Sequence, residues 1–137
     1  MKNYFKPSRK VYAHCDVPCG IYDPKPMQIA AATVLKMAEK MHALSTDRSV
    51  TEMNNYVRMV VTKEEHARIC KQELLILWTD FFKPEHLEIY PGLHDKVWQT
   101  AKLISKTKQG VDLYSAQELV KSVDEIAEIF QKIKSNS

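Results

Sequence analysis

The sequence predicts an all-α protein, an up-down-up-down four-helix bundle preceded by a short amino-terminal hook. Three observations support this. Glycine stands only at 20, 92 and 110, and proline only at 7, 18, 24, 26, 84 and 91. The stretches between are free of helix breakers. Within them apolar residues recur at steps of three and four, the spacing of one helix face. Nothing alternates as a half-buried strand would, and short polar joints make consecutive helices antiparallel.

Asp23-Pro24 opens the first helix, with Asp as N-cap and Pro at the first helical position. Ala30, Val34, Met37, Met41 and Leu44 form its stripe, which spans about 24 to 44. Ser49-Val50-Thr51-Glu52 has the form of a capping box. Met53, Val57 and Val60 begin a second stripe, resumed at Ala67, Leu74, Leu77 and Phe81 and stopped by Pro84. It weakens near Thr62-Lys63, where a bend or break is expected. Residues 84 to 92 form a connection with one helical turn in it. A third helix runs from about Pro91 to Lys106, with Leu93, Val97, Ala101 and Ile104 inward, and Gly110 closes it. Ser115 to Glu118 reads as another capping box. Leu119, Val123, Ile126, Phe130 and Ile133 make the cleanest stripe in the chain.

At 137 residues the chain is one domain, and 45% apolar residues suffice for a core. The formal charge is +3. Lys2, Lys6, Arg9 and Lys10 supply four positive charges to residues 1–13, which hold no acid, so residues 14–137 carry −1. That excludes a nucleic-acid-binding core, which needs a basic face within the domain. No apolar run approaches a membrane span, and residues 1–13 lack the apolar stretch of an export signal. Three cysteines cannot form a paired disulfide framework, so reduced thiols in a cytoplasmic protein are the simple reading.

The chemistry concentrates in His14-Cys15-Asp16-Val17-Pro18-Cys19-Gly20-Ile21-Tyr22-Asp23-Pro24. Pro18 fixes φ and Gly20 relaxes it, so the run folds as a tight hook. Two thiols and an imidazole make a soft donor set, which nickel, copper(I), zinc or iron could use. A closed zinc site would want four side-chain ligands, and there is no second Cys pair. Cys70, in mid-helix, reads as a small buried hydrophobe. A terminal amine and a deprotonated amide beside two thiolates would give a planar set that suits Ni(II).

The run HCDVPCGIYDP closely resembles the amino-terminal hook of the nickel superoxide dismutases. Leu77-Trp78-Thr79-Asp80-Phe81-Phe82-Lys83-Pro84, with His86, Tyr90-Pro91 and Leu93-His94, is similar to a second block of that family. The resemblance implies a leader, residues 1–13, removed so that His14 becomes the amino terminus of a domain over 14–137. It implies one nickel per subunit, bound by Cys15 and Cys19 through sulfur, by the Cys15 amide and by the His14 amine, with the His14 imidazole axial. It implies superoxide dismutation on a Ni(III)/Ni(II) couple, a homohexamer and a leader-cleaving peptidase. Tyr22 would lie over the site, Asp16 would hydrogen-bond within the hook beside Pro18, and Lys83 would steer the anionic substrate.

The chain departs from the family pattern in places. Where relatives carry a Glu early in the first helix and an Arg in the second, this chain has Ala30 and His66, and Phe81 stands where Tyr is common. His66 is a candidate to hold the His14 imidazole. Glu39 and His42 read as a solvated face, because no second Glu-x-x-His accompanies them. His86 and His94 flank a turn and should hydrogen-bond locally. Two readings compete with the enzyme: a helical nickel carrier or sensor that does not turn over, and a helical interaction module with an incidental cysteine pair.

Overall fold

In the computed structural model the described residues are 20–136. They fold into four long helices and one short one: α1 (Lys25–His42), α2 (Val50–Ile76), α3 (Pro84–Ile89), α4 (Leu93–Gln109) and α5 (Leu113–Ser135). A π-turn, Leu77–Phe81, widens the end of α2. The four long helices form a ring in which α1 and α4 each pack against α2 and α5. Paired cross-links show antiparallel neighbours: Lys63 and Lys71 of α2 meet α4 at Thr107 and Ser105, and Lys96 and Thr100 of α4 meet α5 at Glu125 and Ser122. Gln28 on α1 donates to Asp124 on α5 at 2.7 Å. Lys96 on α4 pairs with Glu125 on α5. Lys63 on α2 reaches the last residues of α4. The up-down-up-down bundle is therefore as the periodicity predicts, and no strand occurs among the described residues.

The core is built from the predicted stripes. Val34, Leu74, Leu93, Ile104, Leu119, Val123, Ile126 and Phe130 are all essentially solvent-free. Asp23 accepts from the Lys25 N–H at 2.9 Å just ahead of α1, whose N-cap is Pro24, one residue later than the expected Asp23. The capping box at Ser49 and Glu52 is present. Glu39 and His42 are exposed, and Glu39 pairs with Lys36 on its own helix.

Four expectations about the helices are corrected. α2 runs unbroken through Thr62-Lys63. The stripe weakens there because a lysine occupies an inward position: Lys63 is buried, and its ammonium donates to the carbonyls of Thr107 (2.6 Å), Lys108 (2.7 Å) and Gly110 (2.9 Å). It thereby satisfies carbonyls that the end of α4 leaves without helical partners. Burial pushes the Lys63 pKa down and Glu64 opposes the shift; the three carbonyls hold the proton in place. Met53 and Val57 are exposed, because α2, at 27 residues, outruns the 17-residue α4. α5 starts before Ser115, because Asp112 is the N-cap and accepts from the Ser115 N–H at 3.3 Å. α4 begins at Leu93 and extends to Gln109, three residues beyond the expected end.

Candidate metal centre

His14, Cys15, Asp16, Pro18 and Cys19 lie outside the described residues. The structure begins where the hook meets the bundle. Gly20 has φ +71°, a conformation that side-chain-bearing residues adopt only with strain. Among the described residues nothing lies within 4 Å of where its Cβ would be, so the positive φ is the reason for glycine that the structure gives. Ile21 points to solvent and Tyr22 is buried in the core cluster. The chain thus turns at Gly20 and is pinned two residues later.

Tyr22 is pinned by rings. It meets Phe81 edge-on, with centroids 6.0 Å apart. Phe81 packs at 4.2 Å on Phe130 of α5, at 5.3 Å on Phe82 and at 5.9 Å, nearly parallel, on His86. Trp78 contacts Phe82 and His94. The π-turn produces this arrangement: the Phe82 N–H donates to the Leu77 carbonyl at 3.0 Å, five residues back. Wide turns of this kind recur at functional sites. Tyr22 therefore packs into the bundle core, and Phe130 is the neighbour that sequence reasoning missed. Phe130 lay on a predicted stripe, but the ring it would touch could not be read.

The other candidates are placed as follows. Lys83 is exposed and precedes α3; its backbone N–H donates to His86 Nδ1 at 3.0 Å. His86 therefore bonds locally, as expected. His66 is half-buried in the middle of α2, and its Nδ1 lies 2.9 Å from the Thr62 carbonyl. A carbonyl only accepts, so Nδ1 carries the proton and Nε2 of the neutral ring presents a lone pair. Ala30 is buried. Cys70 is wholly buried, and desolvation pushes its thiol pKa up to about 12; it stays protonated and is no ligand. Among the described residues no group of three or more His, Cys, Asp or Glu could hold a metal, so the soft donors of the hook have no competitor there.

A family model for nickel-containing superoxide dismutase matches residues 9–134. The chain belongs to the nickel-containing superoxide dismutase family. The nickel superoxide dismutases of Streptomyces seoulensis and Streptomyces coelicolor are each 37% identical to it over 134 residues, 98% of either chain. A solved native nickel superoxide dismutase superposes with TM-score 0.77 at 37% identity, covering 88% of this chain and 99% of its own. One with nickel ligation of the oxidised state gives 0.78 at 38%, covering 89% and 99%. Membership in the nickel superoxide dismutases sets the activity class: a nickel-dependent oxidoreductase that disproportionates superoxide. No helix among the described residues is long and apolar enough to cross a membrane.

Proposed function

We propose that superoxide is disproportionated at the hook, by a form of the chain that begins at His14. Cys15 and Cys19 hold nickel through sulfur, and His14 holds it through its amine and imidazole. The donor set fits the metal: anionic thiolate and amide donors favour the higher oxidation state. Bound nickel supplies the one-electron couple that superoxide alternately reduces and reoxidises. The chain does the rest. Pro18 and Gly20 shape the hook and Asp16 braces it from within. Tyr22 anchors it to the bundle and screens the site. His66 Nε2 offers an acceptor for the ring N–H of His14, in place of the carboxylate absent at Ala30. Lys83 draws in the superoxide anion.

The observation that carries this reading is that the His-Cys-x3-Cys run leads directly into Gly20 and the ring-clamped Tyr22 of a bundle with the family's shape. Removal of residues 1–13 is supported by coverage. The full-length relatives match 98% of this chain, whereas 88–89% of it accounts for 99% of the solved chains. About a tenth of this chain, close to the length of residues 1–13, has no counterpart in them. A leader peptidase is the implied partner and the cytoplasm the implied compartment. Assembly as a homohexamer follows from the resemblance. Exposed Trp98 suits an interface, whereas Tyr90 is half-buried against the core.

Nickel-loaded protein beginning at His14 should consume superoxide, and the same protein with one residue added before His14 should fall to background. Pulse-radiolysis decay of superoxide measures both. Full activity in the extended form would refute ligation by the amine. Tight nickel binding without superoxide consumption in the trimmed form would favour a carrier.

A further inference from the structure

We propose that His86 is a positioning residue for the nickel site, holding Phe81 against Tyr22 only while its Nδ1 is unprotonated. The inference rests on the reading that the hook works beside Tyr22. α3 is six residues long and fully buries none of them; Leu87 packs partly buried against the core, and the start of the helix is tied by its first-turn bonding. The backbone N–H of Lys83 points at His86 Nδ1, 3.0 Å away. A backbone N–H only donates, so Nδ1 accepts and the neutral ring carries its proton on Nε2. The same ring lies nearly parallel to Phe81, with centroids 5.9 Å apart and an interplanar angle of 28°, and it meets Phe82 edge-on at 6.2 Å. Phe81 in turn touches Tyr22 and Phe130. One hydrogen bond thus orients the ring that backs the Tyr22–Phe81 pair.

A proton on Nδ1 would turn that acceptor into a donor facing a donor. The bond would break, the first turn of α3 would keep only its backbone bond from the His86 N–H to the Lys83 carbonyl, and the imidazole would be free to rotate off Phe81. An imidazole makes this change between about pH 5 and 8. The charged and titratable groups on the neighbouring elements are of both signs: Lys83, Glu85 and Glu88 beside or on α3, Asp80 on the π-turn, His94 and Asp95 at the start of α4, and Lys134 of α5, whose ammonium sits 5.6 Å over the Phe130 ring.

Two variants separate the parts. His86→Asn keeps an acceptor near the position of Nδ1 and does not titrate in this range. His86→Phe keeps the flat ring and has no acceptor. Amide hydrogen exchange in α3, corrected for intrinsic rates, and the Tyr22 ring NMR signals are followed from pH 8 to pH 5. In the wild-type chain, α3 exchange should speed up about five-fold on acidification, the size of a lost cap, and the Tyr22 signals should shift with the same midpoint. The Asn variant should show a flat profile, and the Phe variant fast exchange throughout. Wild-type exchange that ignores pH, or an Asn variant that keeps the acid response, overturns the proposal. In nickel-loaded protein beginning at His14, kcat/KM should fall on the acid side with that midpoint, and the Asn variant should lack the fall. If every trimmed form is inactive while the exchange results hold, the hook reading has failed and the role of His86 in placing Tyr22 stands.

Discussion

At the end of the bundle where Tyr22 enters, cohesion comes from rings; at the opposite end, where α2 starts and α4 stops, it comes from hydrogen bonds. Tyr22, Phe81, Phe82 and Phe130 bury aromatic surface and leave little for water to contact. The far end has no such cluster. None of the side chains from 50 to 62 is buried. That end is closed by the Lys63 ammonium on three carbonyls, the Ser49–Glu52 box and the Asp112 cap. Packing fixes shape and excludes water, which a redox site needs. Hydrogen bonds close helix ends without fixing a cavity. The end at which the proposed hook site joins the bundle is therefore the packed one.

This contrast can be broken or sharpened by experiment. Phe130→Ala should have the largest effect, about 3–5 kcal/mol in urea unfolding, since the residue is fully buried and backs Phe81. A loss below about 1 kcal/mol would mean that the rings do not hold that end. Lys63→Met should cost about 1–3 kcal/mol: three charge-assisted bonds are lost, partly offset because no charge need be desolvated. Hydrogen exchange should place the damage at the end of α4, and unchanged protection there would remove the clamp from the account. Acid should have the smallest effect. The Ser49 N–H and hydroxyl hold the Glu52 pKa below its usual value. The Ser115 hydroxyl and N–H do the same for Asp112. Carboxyls with lowered folded pKa values stabilise above the ordinary carboxylate range, and that contribution is lost as pH falls through the folded values. Corrected exchange in the first turns of α2 and α5 should therefore rise as pH falls below that range, while the ring-packed end stays protected. If both ends loosen together, the distinction between them is wrong.

Legibility in the sequence follows the reach of each interaction. The α5 stripe from Leu119 to Ile133 and the stop at Pro84 depend on neighbours a turn away, and both could be read. Lys63 could not. A lysine at an inward position looks like an interruption until a turn 44 residues later supplies its carbonyls. Ser115 to Glu118 fits a capping box, but Asp112 stands earlier and its carboxylate takes the cap. The hook was legible as chemistry because residue type and spacing alone define a donor set. Its support was not, since Tyr22, the Phe81–His86 segment and Phe130 come from separate parts of the chain and meet only in three dimensions. Lys83 shows both sides: its position beside Pro84 was readable, but the partner of its N–H was not.

The wide turn at Leu77–Phe81 has a consequence for how chain length can vary. It accommodates one residue more than regular winding would, and each residue of ordinary helix rotates the next by about 100°. Deleting that surplus residue would leave every amino acid type acceptable yet swing the downstream aromatics out of register with α5. The exposed start of α2 has no such register to keep. Insertions and deletions should therefore be tolerated near residue 50 and eliminated near residue 80, even though both segments are helical.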